Sequence, residues 1–322
     1  MSNELIDVVI SRRDDQAEGV AVFELTAKEG VLPTFEAGAH VDVHIADDLV
    51  RQYSLSNILT ENEAPIEQVY RLGILNDPQS RGGSKAIHSD FQEGTELKIS
   101  APRNHFPLDD SAQHSILVGG GIGITPMLAM AYSLKAQGKS FELHYCCRSS
   151  ASAAFLAEIA EQFGEQSHLH FDDQAEEQRF SPNKVFEPHR PGTHIYVCGP
   201  SGFMDWVISC AAYAGYSESD VHFEYFNAEV DTSGAGFEVV AAQSGVSVQV
   251  QEGQTITDAL ATVGIKVDVS CEQGVCGTCI CDVLEGTPDH KDHFLTEEEK
   301  EDNDQIVVCC SRSKGERLVL DI

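Results

Sequence analysis

Cys271-Glu272-Gln273-Gly274-Val275-Cys276-Gly277-Thr278-Cys279 is the stretch on which the reading of this 322-residue chain turns. Its cysteines stand at C-x4-C-x2-C spacing, and Cys309 follows after a gap of 29 residues. An iron–sulfur cluster needs thiolate ligands, and this spacing is that of a plant-type [2Fe–2S] centre. Gly274 and Gly277 let the backbone wrap closely and aim N–H groups at sulfur. Small Thr278 avoids crowding. A structural zinc site is the competing reading, but zinc sites more often carry two C-x2-C pairs, so the first gap and the glycines favour iron–sulfur. Cys310 is adjacent to Cys309, and only one of two neighbours can point at a cluster. Cys281 alternates with Ile280 in the next strand and reads as a core residue. Cys146, Cys147 and Cys210 read as small buried hydrophobes. The chain has ten cysteines and no secretion signal, so a disulfide framework is a poor reading.

Around the cysteine loop, residues 237–242 and 246–250 suggest a hairpin, 255–263 a short helix, and 280–284, 306–309 and 317–320 further strands. Upstream, the small polar stretch AEVDTSGAG at 228–236 reads as a linker. Residues 108–227 alternate strand-like runs (115–118, 141–147, 168–171, 194–198, 221–225) with helical ones (126–134, 153–163, 203–213). That rhythm argues for a parallel sheet with crossover helices. Residues 1–107 show short alternating runs at 20–25, 40–45 and 70–75, separated by turn clusters at 28–30, 46–48 and 76–83. These predict a small antiparallel barrel.

The net charge is −31, from 21 basic and 52 acidic residues. A phosphate backbone or an anionic membrane is repelled by such a surface, so neither nucleic acid nor membrane is an expected partner. Residues 229–322 hold 19 acidic and 6 basic residues, a net −13 over 94 positions. The C-terminal part is therefore the denser in negative charge, which suits a face that steers toward a basic protein; general solubility is the plainer reading. No apolar run reaches the length of a membrane-spanning helix, and MSNELIDVVISRRDDQ lacks the basic start and apolar stretch of a signal peptide. A soluble cytoplasmic monomer is the expectation.

Two glycine features sit at the ends of expected strands. Gly119-Gly120-Gly121-Ile122-Gly123-Ile124-Thr125-Pro126 leads from the first strand of the parallel sheet into a helix. Glycines there let a phosphate approach the backbone, and a helix N-terminus attracts it. Pro126 suits the first helical turn and Thr125 an N-cap. The strict G-x-G-x-x-G spacing is not met, and a tight turn with close packing competes. Cys198-Gly199-Pro200 closes another strand. Ligands of open α/β sheets bind at carboxyl ends of strands, so the two loops are placed to flank one nicotinamide. Asp172 and Asp173 end a further strand. A carboxylate there accepts ribose hydroxyls and repels a 2′-phosphate, which favours NADH; Arg148 pulls toward NADPH.

A hydride carries two electrons and a [2Fe–2S] cluster takes one, so a flavin intermediary is expected. In Arg51-Gln52-Tyr53-Ser54-Leu55, Arg can pair a phosphate, Tyr can stack on a flavin and Ser can bond a ring heteroatom. Alone, these five residues read more readily as a surface strand. Together, RQYSLSN, SRGGS, GGGIGITPM, CGP, HFEYF and CEQGVCGTC…VVCCSRS, in this order, closely resemble the phthalate dioxygenase reductase family, vanillate O-demethylase reductases included. The resemblance covers essentially the whole chain, and every motif residue is present.

The resemblance implies three modules: an FMN-binding antiparallel β-barrel over 1–107, an NADH-binding α/β domain over 108–227, and a β-grasp [2Fe–2S] ferredoxin domain over 237–322. It implies that Arg51, Tyr53 and Ser54 hold FMN rather than FAD, with Gly82, Gly83 and Ser84, and Arg81 nearby, at its phosphate. Gly120, Gly121, Gly123, Thr125, Pro126, Asp172, Asp173, Cys198, Gly199 and Pro200 are the expected nucleotide residues, with Thr125, Cys198 and Phe226 near the flavin and nicotinamide. No acid–base residue is required for hydride transfer between cofactors. The ligand position before a residue and then SR selects Cys309, giving Cys271, Cys276, Cys279 and Cys309 as the cluster set. The implied role is electron transfer from NADH through FMN and [2Fe–2S] to a Rieske-type terminal oxygenase for an aromatic acid such as vanillate or phthalate. An oxygenase for a quaternary ammonium compound such as carnitine, a cytochrome P450 and another electron carrier are the alternative acceptors; a non-enzymatic redox-sensing module is the remaining reading.

Overall fold

Strand β2 (Val20–Ala27) is buried on both faces, and this shapes the N-terminal half. Ala21, Phe23 and Leu25 join Val8, Ile10, Val41, Val43, Leu72 and Ile74 in one core, while Val20 and Val22 enter a second core together with Leu117 and Met127. A strand covered on both sides loses the polar alternation of a half-exposed one, which is why VAVFEL reads as a continuous apolar run. The computed structural model describes residues 5–46, 49–58, 68–226 and 230–322. The chain splits into two compact units, Met1–Phe226 and Asn227–Ile322.

The first sheet of unit one is antiparallel throughout. With β1 (Ile6–Ala17), β3 (His40–Ala46), β4 (Leu49–Ser54), β5 (Tyr70–Leu75) and β6 (Glu96–Ile99), its order is β4-β3-β6-β1-β2-β5. A bridge from Leu55 to Leu72 joins the two edges, so the sheet closes into a barrel. Helix α1 (Gly83–Asp90) crosses between β5 and β6. The turn expected over 76–83 thus ends in a helix whose first residue is Gly83.

The second sheet of unit one is parallel. It is built from β7 (His114–Gly120), α2 (Ile124–Ala136), β8 (Ser140–Cys147), α3 (Leu156–Phe163), β9 (Ser167–Phe171), α4 (Pro182–Phe186), β10 (Thr193–Gly199), α5 (Ser201–Tyr213) and β11 (Val221–Tyr225). The strand order is β11-β10-β7-β8-β9. The chain winds one way from β7 to β9 and then the other way through β10 and β11. A topological switch therefore falls between β7 and β10, where open α/β sheets form their ligand crevice. The helix expected over 153–163 is shorter because Phe155, at φ 62°, cannot lie inside a right-handed helix.

Unit two is a mixed sheet gripping one helix, the β-grasp arrangement. Its elements are β12 (Phe237–Ala241), β13 (Val246–Val250), α6 (Ile256–Thr262), β14 (Ile280–Glu285), β15 (Pro288–Asp289), α7 (Glu297–Asp302), β16 (Gln305–Val307), β17 (Arg312–Ser313) and β18 (Arg317–Leu320). The order is β13-β12-β18-β14-β16, with β12 and β18 parallel, and β15 pairs with β17 apart from it. Thr255 caps α6 by accepting the Asp258 N–H at 3.1 Å, and Ile256, Ala259 and Leu260 fill the core beneath. The strand expected over 306–309 ends at Val307, which leaves Cys309 in a turn. Parts of the expected turn at 46–48 and of the linker at 228–236 lie outside the described residues. No helix among the described residues is long and apolar enough to cross a membrane.

Candidate functional site

The cysteine loop wraps its own sulfurs. The N–H groups of Gln273 and Val275 each donate to Cys271 Sγ at 3.4 Å, and Thr278 N–H donates to Cys276 Sγ at 3.5 Å. Backbone donors aimed at sulfur stabilise thiolate and set the electronics of an iron–sulfur centre. The path needs left-handed residues at Gly274 (φ 72°) and Gly277 (φ 69°). A Cβ at Gly274 would stand 2.4 Å from Cys310 Sγ, and one at Gly277 would stand 2.4 Å from the Phe294 ring. Cys271, Cys276, Cys279 and Cys309 are all buried. The Cys271 side chain interacts with both Cys276 and Cys309. The Cys310 Sγ lies behind the loop, in contact with Cys309 and directed to the Val307 carbonyl (3.7 Å) and the Ser311 hydroxyl (3.8 Å). Cys281 is buried in the core with its Sγ toward the Cys279 carbonyl. Four buried thiols, a glycine-shaped loop and amide donors to sulfur are the donor set a [2Fe–2S] cluster requires.

At the switch point, the two expected nucleotide loops press against each other. A Cβ at Gly123 would lie 2.2 Å from the Cys198 carbonyl oxygen, and one at Gly120 would lie 2.7 Å from the Phe203 ring. Close packing is thus what Gly120 and Gly123 serve. Gly121 differs: its φ is 56° and nothing lies within 4 Å of its Cβ position, so it is the glycine of the loop that faces open space. Gly199 packs on Gly120, and Pro200 precedes α5. Thr125 does not cap α2. The helix starts at Ile124 with Gly123 as N-cap, and the Thr125 hydroxyl donates back to the Ile122 carbonyl at 3.0 Å. Its methyl points at Gly73 of β5, where a Cβ would come within 2.8 Å. Pro126 occupies the first turn, where its missing N–H costs nothing. Asp172 and Asp173 are exposed just beyond β9, and their N–H groups bond the carbonyls of Cys147 and Arg148. Gly121, Cys198–Pro200, Arg148 and the two aspartates thus share the carboxyl edge of the sheet.

The residues expected to hold a flavin lie on β4, around the start of α1 and just beyond β11. Helix α1 begins without a capping side chain and without an acidic residue in its first turn; Gly82 stands before it at φ 97°. Among the described residues no side chain caps its leading N–H groups, which suits this end to an anion. Arg51 lies against this end, since a Cβ at Gly83 would fall 2.6 Å from Arg51 Cγ, and its guanidinium donates to the Arg81 carbonyl at 3.4 Å. The Ser84 hydroxyl accepts the Asp77 N–H at 3.3 Å, which holds the turn. This is a fitting cradle for one terminal phosphate. Tyr53 is half-buried beside the barrel core, and Phe226 packs against the second core.

Two residues here escape a motif reading. Glu224 of β11 accepts the Ser54 hydroxyl at 3.4 Å and lies 3.8 Å from His40 Nδ1. It is the register partner of Cys198 on β10. Burial pushes the Glu224 carboxyl up to about 8, against a smaller opposing effect of the Ser54 hydroxyl. Burial, aided by Arg103 and His105, pushes His40 down to about 3. Burial also raises the Cys198 thiol, with Glu224 adding to it. The signal for Glu224 was available: a carboxylate centred in the aromatic run HFEYF is costly unless it has work or partners. His40 carried no such signal.

A flavin-type barrel, a nucleotide-type parallel sheet and a [2Fe–2S] ferredoxin domain on one chain define a class, the reductases that carry electrons from a pyridine nucleotide to iron–sulfur. Comparison with known proteins gives the particular family. Residues 239–314 match the 2Fe-2S iron-sulfur cluster binding domain, and residues 96–221 match the N-terminal domain of dimethylamine monooxygenase subunit DmmA-like proteins. The chain is 46% identical to the vanillate O-demethylase oxidoreductase of Acinetobacter baylyi over 98% of this chain and 99% of that one. It matches the structure of phthalate dioxygenase reductase at 36% identity and a TM-score of 0.73, covering 99% of this chain and 98% of that one. It also matches an intact type IV self-sufficient cytochrome P450 monooxygenase at 35% identity and a TM-score of 0.84, covering 99% of this chain but only 41% of that longer one. The chain belongs to the phthalate dioxygenase reductase family, with the vanillate O-demethylase oxidoreductases among its relatives, and it is an oxidoreductase.

Proposed function

We propose that this protein is the NADH-dependent reductase of a two-component Rieske oxygenase, serving an aromatic acid such as vanillate or phthalate. The observation that carries it is the sulfur-wrapping loop at 271–279, on the same chain as a phosphate cradle and a nucleotide crevice. Three modules are proposed, 1–107, 108–227 and 237–322, with 228–236 as linker, acting as a cytoplasmic monomer.

Bound flavin would supply the conversion from hydride to single electrons. The residues of the chain bind, orient and exclude water. Gly82, Gly83, Ser84, Arg51 and Arg81 suit a single phosphate, which supports FMN. Tyr53, Ser54, Thr125, Cys198 and Phe226 would flank the ring and the nicotinamide, with Gly120, Gly121, Gly123, Pro126, Gly199 and Pro200 shaping the crevice. Asp172 and Asp173 would accept ribose hydroxyls and repel a 2′-phosphate, which supports NADH. Cys271, Cys276, Cys279 and Cys309 would hold the cluster. Plant-type clusters sit near about −400 mV and Rieske centres at roughly −150 mV or above, so transfer onward is downhill. The net −13 of residues 229–322 would steer a brief encounter with a basic patch on the partner.

The protein purified without oxygen should contain iron and labile sulfide, release FMN on heating and bleach with NADH. It should drive turnover by a Rieske oxygenase for vanillate or phthalate faster than one for carnitine. Faster reduction of a cytochrome P450, the acceptor class suggested by the likeness to the self-sufficient monooxygenase, would reassign the partner. Zinc in place of iron would end the electron-transfer reading.

A further inference from the structure

A second cluster of metal-binding side chains lies at the other end of the parallel sheet, away from the nucleotide crevice. His194 and His222 stand near the amino ends of β10 and β11, and Asp109 lies in the segment leading into β7. One ligand atom from each of the three lies within 4.8 Å of the others. His194 Nδ1 is 2.9 Å from His222 Nε2 and 4.0 Å from Asp109 Oδ2. Ligand atoms around a tetrahedral zinc with bonds of about 2.0–2.1 Å stand roughly 3.3 Å apart, so the observed spacing brackets what an ion needs.

The surroundings prepare each ligand. Ser111 donates both its N–H (2.7 Å) and its hydroxyl (2.6 Å) to Asp109 Oδ1, which leaves Oδ2 for His194. Asp220 Oδ1 faces His194 Nε2 at 3.7 Å, on the far side of the ring from the cluster. That distance is longer than a hydrogen bond; a small shift would let the carboxylate fix the His194 tautomer and aim its other nitrogen at a metal. The two imidazoles lie nearly parallel, at 8°, and His222 stacks on Tyr196 at 4.6 Å, so the rings are held before any ion arrives. Tyr196 in turn accepts the Asp109 N–H at 2.8 Å. Asp109 keeps 39% of its side chain exposed, which leaves an entry path and room for a water ligand.

A similar group on the opposite face of the sheet is less suitable. Glu142, His144 and His168 also converge, but the Arg190 guanidinium sits 2.9 Å from Glu142 and already neutralises its charge. No lysine or arginine is paired with Asp109 or Asp220 in this way among the described ion pairs.

We infer that Asp109, His194 and His222 form a three-ligand site for a zinc-class divalent cation, with Asp220 positioning His194. An ion there would tie the segment between the barrel and β7 to β10 and β11. It would act as a clamp within unit one, separate from the hydride and electron steps.

The test uses cluster-loaded, chelator-washed holoprotein, so that the four cluster cysteines are occupied. Zn2+ titration should show one equivalent bound, and Co2+ should give the absorption of a tetrahedral nitrogen–oxygen site. Zn2+ should also raise the unfolding temperature of unit one. Asp220→Asn should weaken binding about 10- to 100-fold, the range for a residue behind a ligand. Asp109→Asn keeps an oxygen for Ser111, and His222→Gln keeps a polar group beside His194; each should lose more affinity than Asp220→Asn. Glu142→Gln should bind as the parent does. Flavin and cluster absorbance, unchanged in every variant, checks that the variants are folded. No equivalent bound by the parent protein, or equal binding by Asp109→Asn and His222→Gln, overturns the site.

Discussion

Glu224 sits between the Ser54 hydroxyl and Cys198 with most of its water removed, and its proton is held up to about 8. Its neighbour His40, 3.8 Å away, is held neutral down to about 3 by the same burial. The pair therefore stays uncharged across the neutral range. The consequence for stability has a definite sign. Between the ordinary carboxyl value of 4.5 and about 8, the unfolded chain has released the Glu224 proton and the folded chain has not, so stability falls as pH rises. For His40, between 6.5 and about 3, the unfolded chain has gained a proton that the folded chain refuses, so stability falls as pH drops. The slopes oppose each other from 4.5 to 6.5, and above 6.5 that of Glu224 stands alone. Going from pH 6.5 to 8, the protein should lose about 2 kcal/mol by this route. Glu224→Gln, which retains an acceptor for Ser54, should abolish that loss, read as the urea midpoint at the two pH values. An equal loss in parent and variant would assign the dependence elsewhere.

The loop over 271–279 is the element whose shape its sequence dictates most directly. Gly274→Ala and Gly277→Ala each place a Cβ in the left-handed region, at about 1–2 kcal/mol, and also drive it into Cys310 or Phe294. Both variants should be purified with less iron and labile sulfide per chain than the parent. Cys309→Ser should remove the cluster and Cys310→Ser should not, because the Cys310 sulfur is turned to Val307 and Ser311. Cluster visible absorbance separates the two, and loss in Cys310→Ser alone would exchange the ligands. Such legibility varied with how local the cause is. The strands 70–75, 221–225, 246–250 and 317–320 match their expected spans, because side-chain alternation or an apolar run marks them. Strand β1 escaped notice because its second half, Arg12–Asp15, is charged throughout and shows no apolar alternation. Helix α1 was hidden behind SRGGS, whose glycines read as a turn although one of them stands before a helix. In the nucleotide loop, the glycine pattern was visible but not its cause, since Gly120 and Gly123 answer to Phe203 and Cys198, more than 70 residues away. Motifs in the sequence nominate the candidate site residues; none nominates Glu224 or His40, which depend on what a distant strand brings beside them.

At the scale of the whole chain, each unit carries its own central cation. In unit one, Arg71 of β5 makes a two-pronged pair with Glu158 of α3, at 3.0 and 2.7 Å, and also donates to the Ser56 carbonyl at 2.8 Å. Tyr132 of α2 donates to the same carboxylate, and the Arg71 guanidinium lies 5.5 Å from the Phe155 ring centre. The pair ties the barrel to the parallel sheet, beside the core that Val20, Val22 and Phe106 share with Leu117 and Met127. In unit two, Arg312 is 3% exposed and donates to the carbonyls of Gln254 (2.7 Å), Ala235 (3.1 Å) and Gln251 (3.2 Å), with its guanidinium 5.2 Å from the Phe237 ring centre. The unit's hydrophobic core is built from residues of unit two throughout. Removing either arginine leaves buried acceptors without donors, at about 1–3 kcal/mol for each group. Since the two cations act on different cores, thermal unfolding should resolve two transitions. Arg71→Met should lower the one reported by flavin release and leave the one reported by cluster bleaching in place. Arg312→Gln should do the reverse. The two should also combine additively, as substitutions with no shared partner do. A single transition that moves with either substitution would mean that the chain folds as one cooperative body, with its two cores coupled more tightly than their separate packing implies.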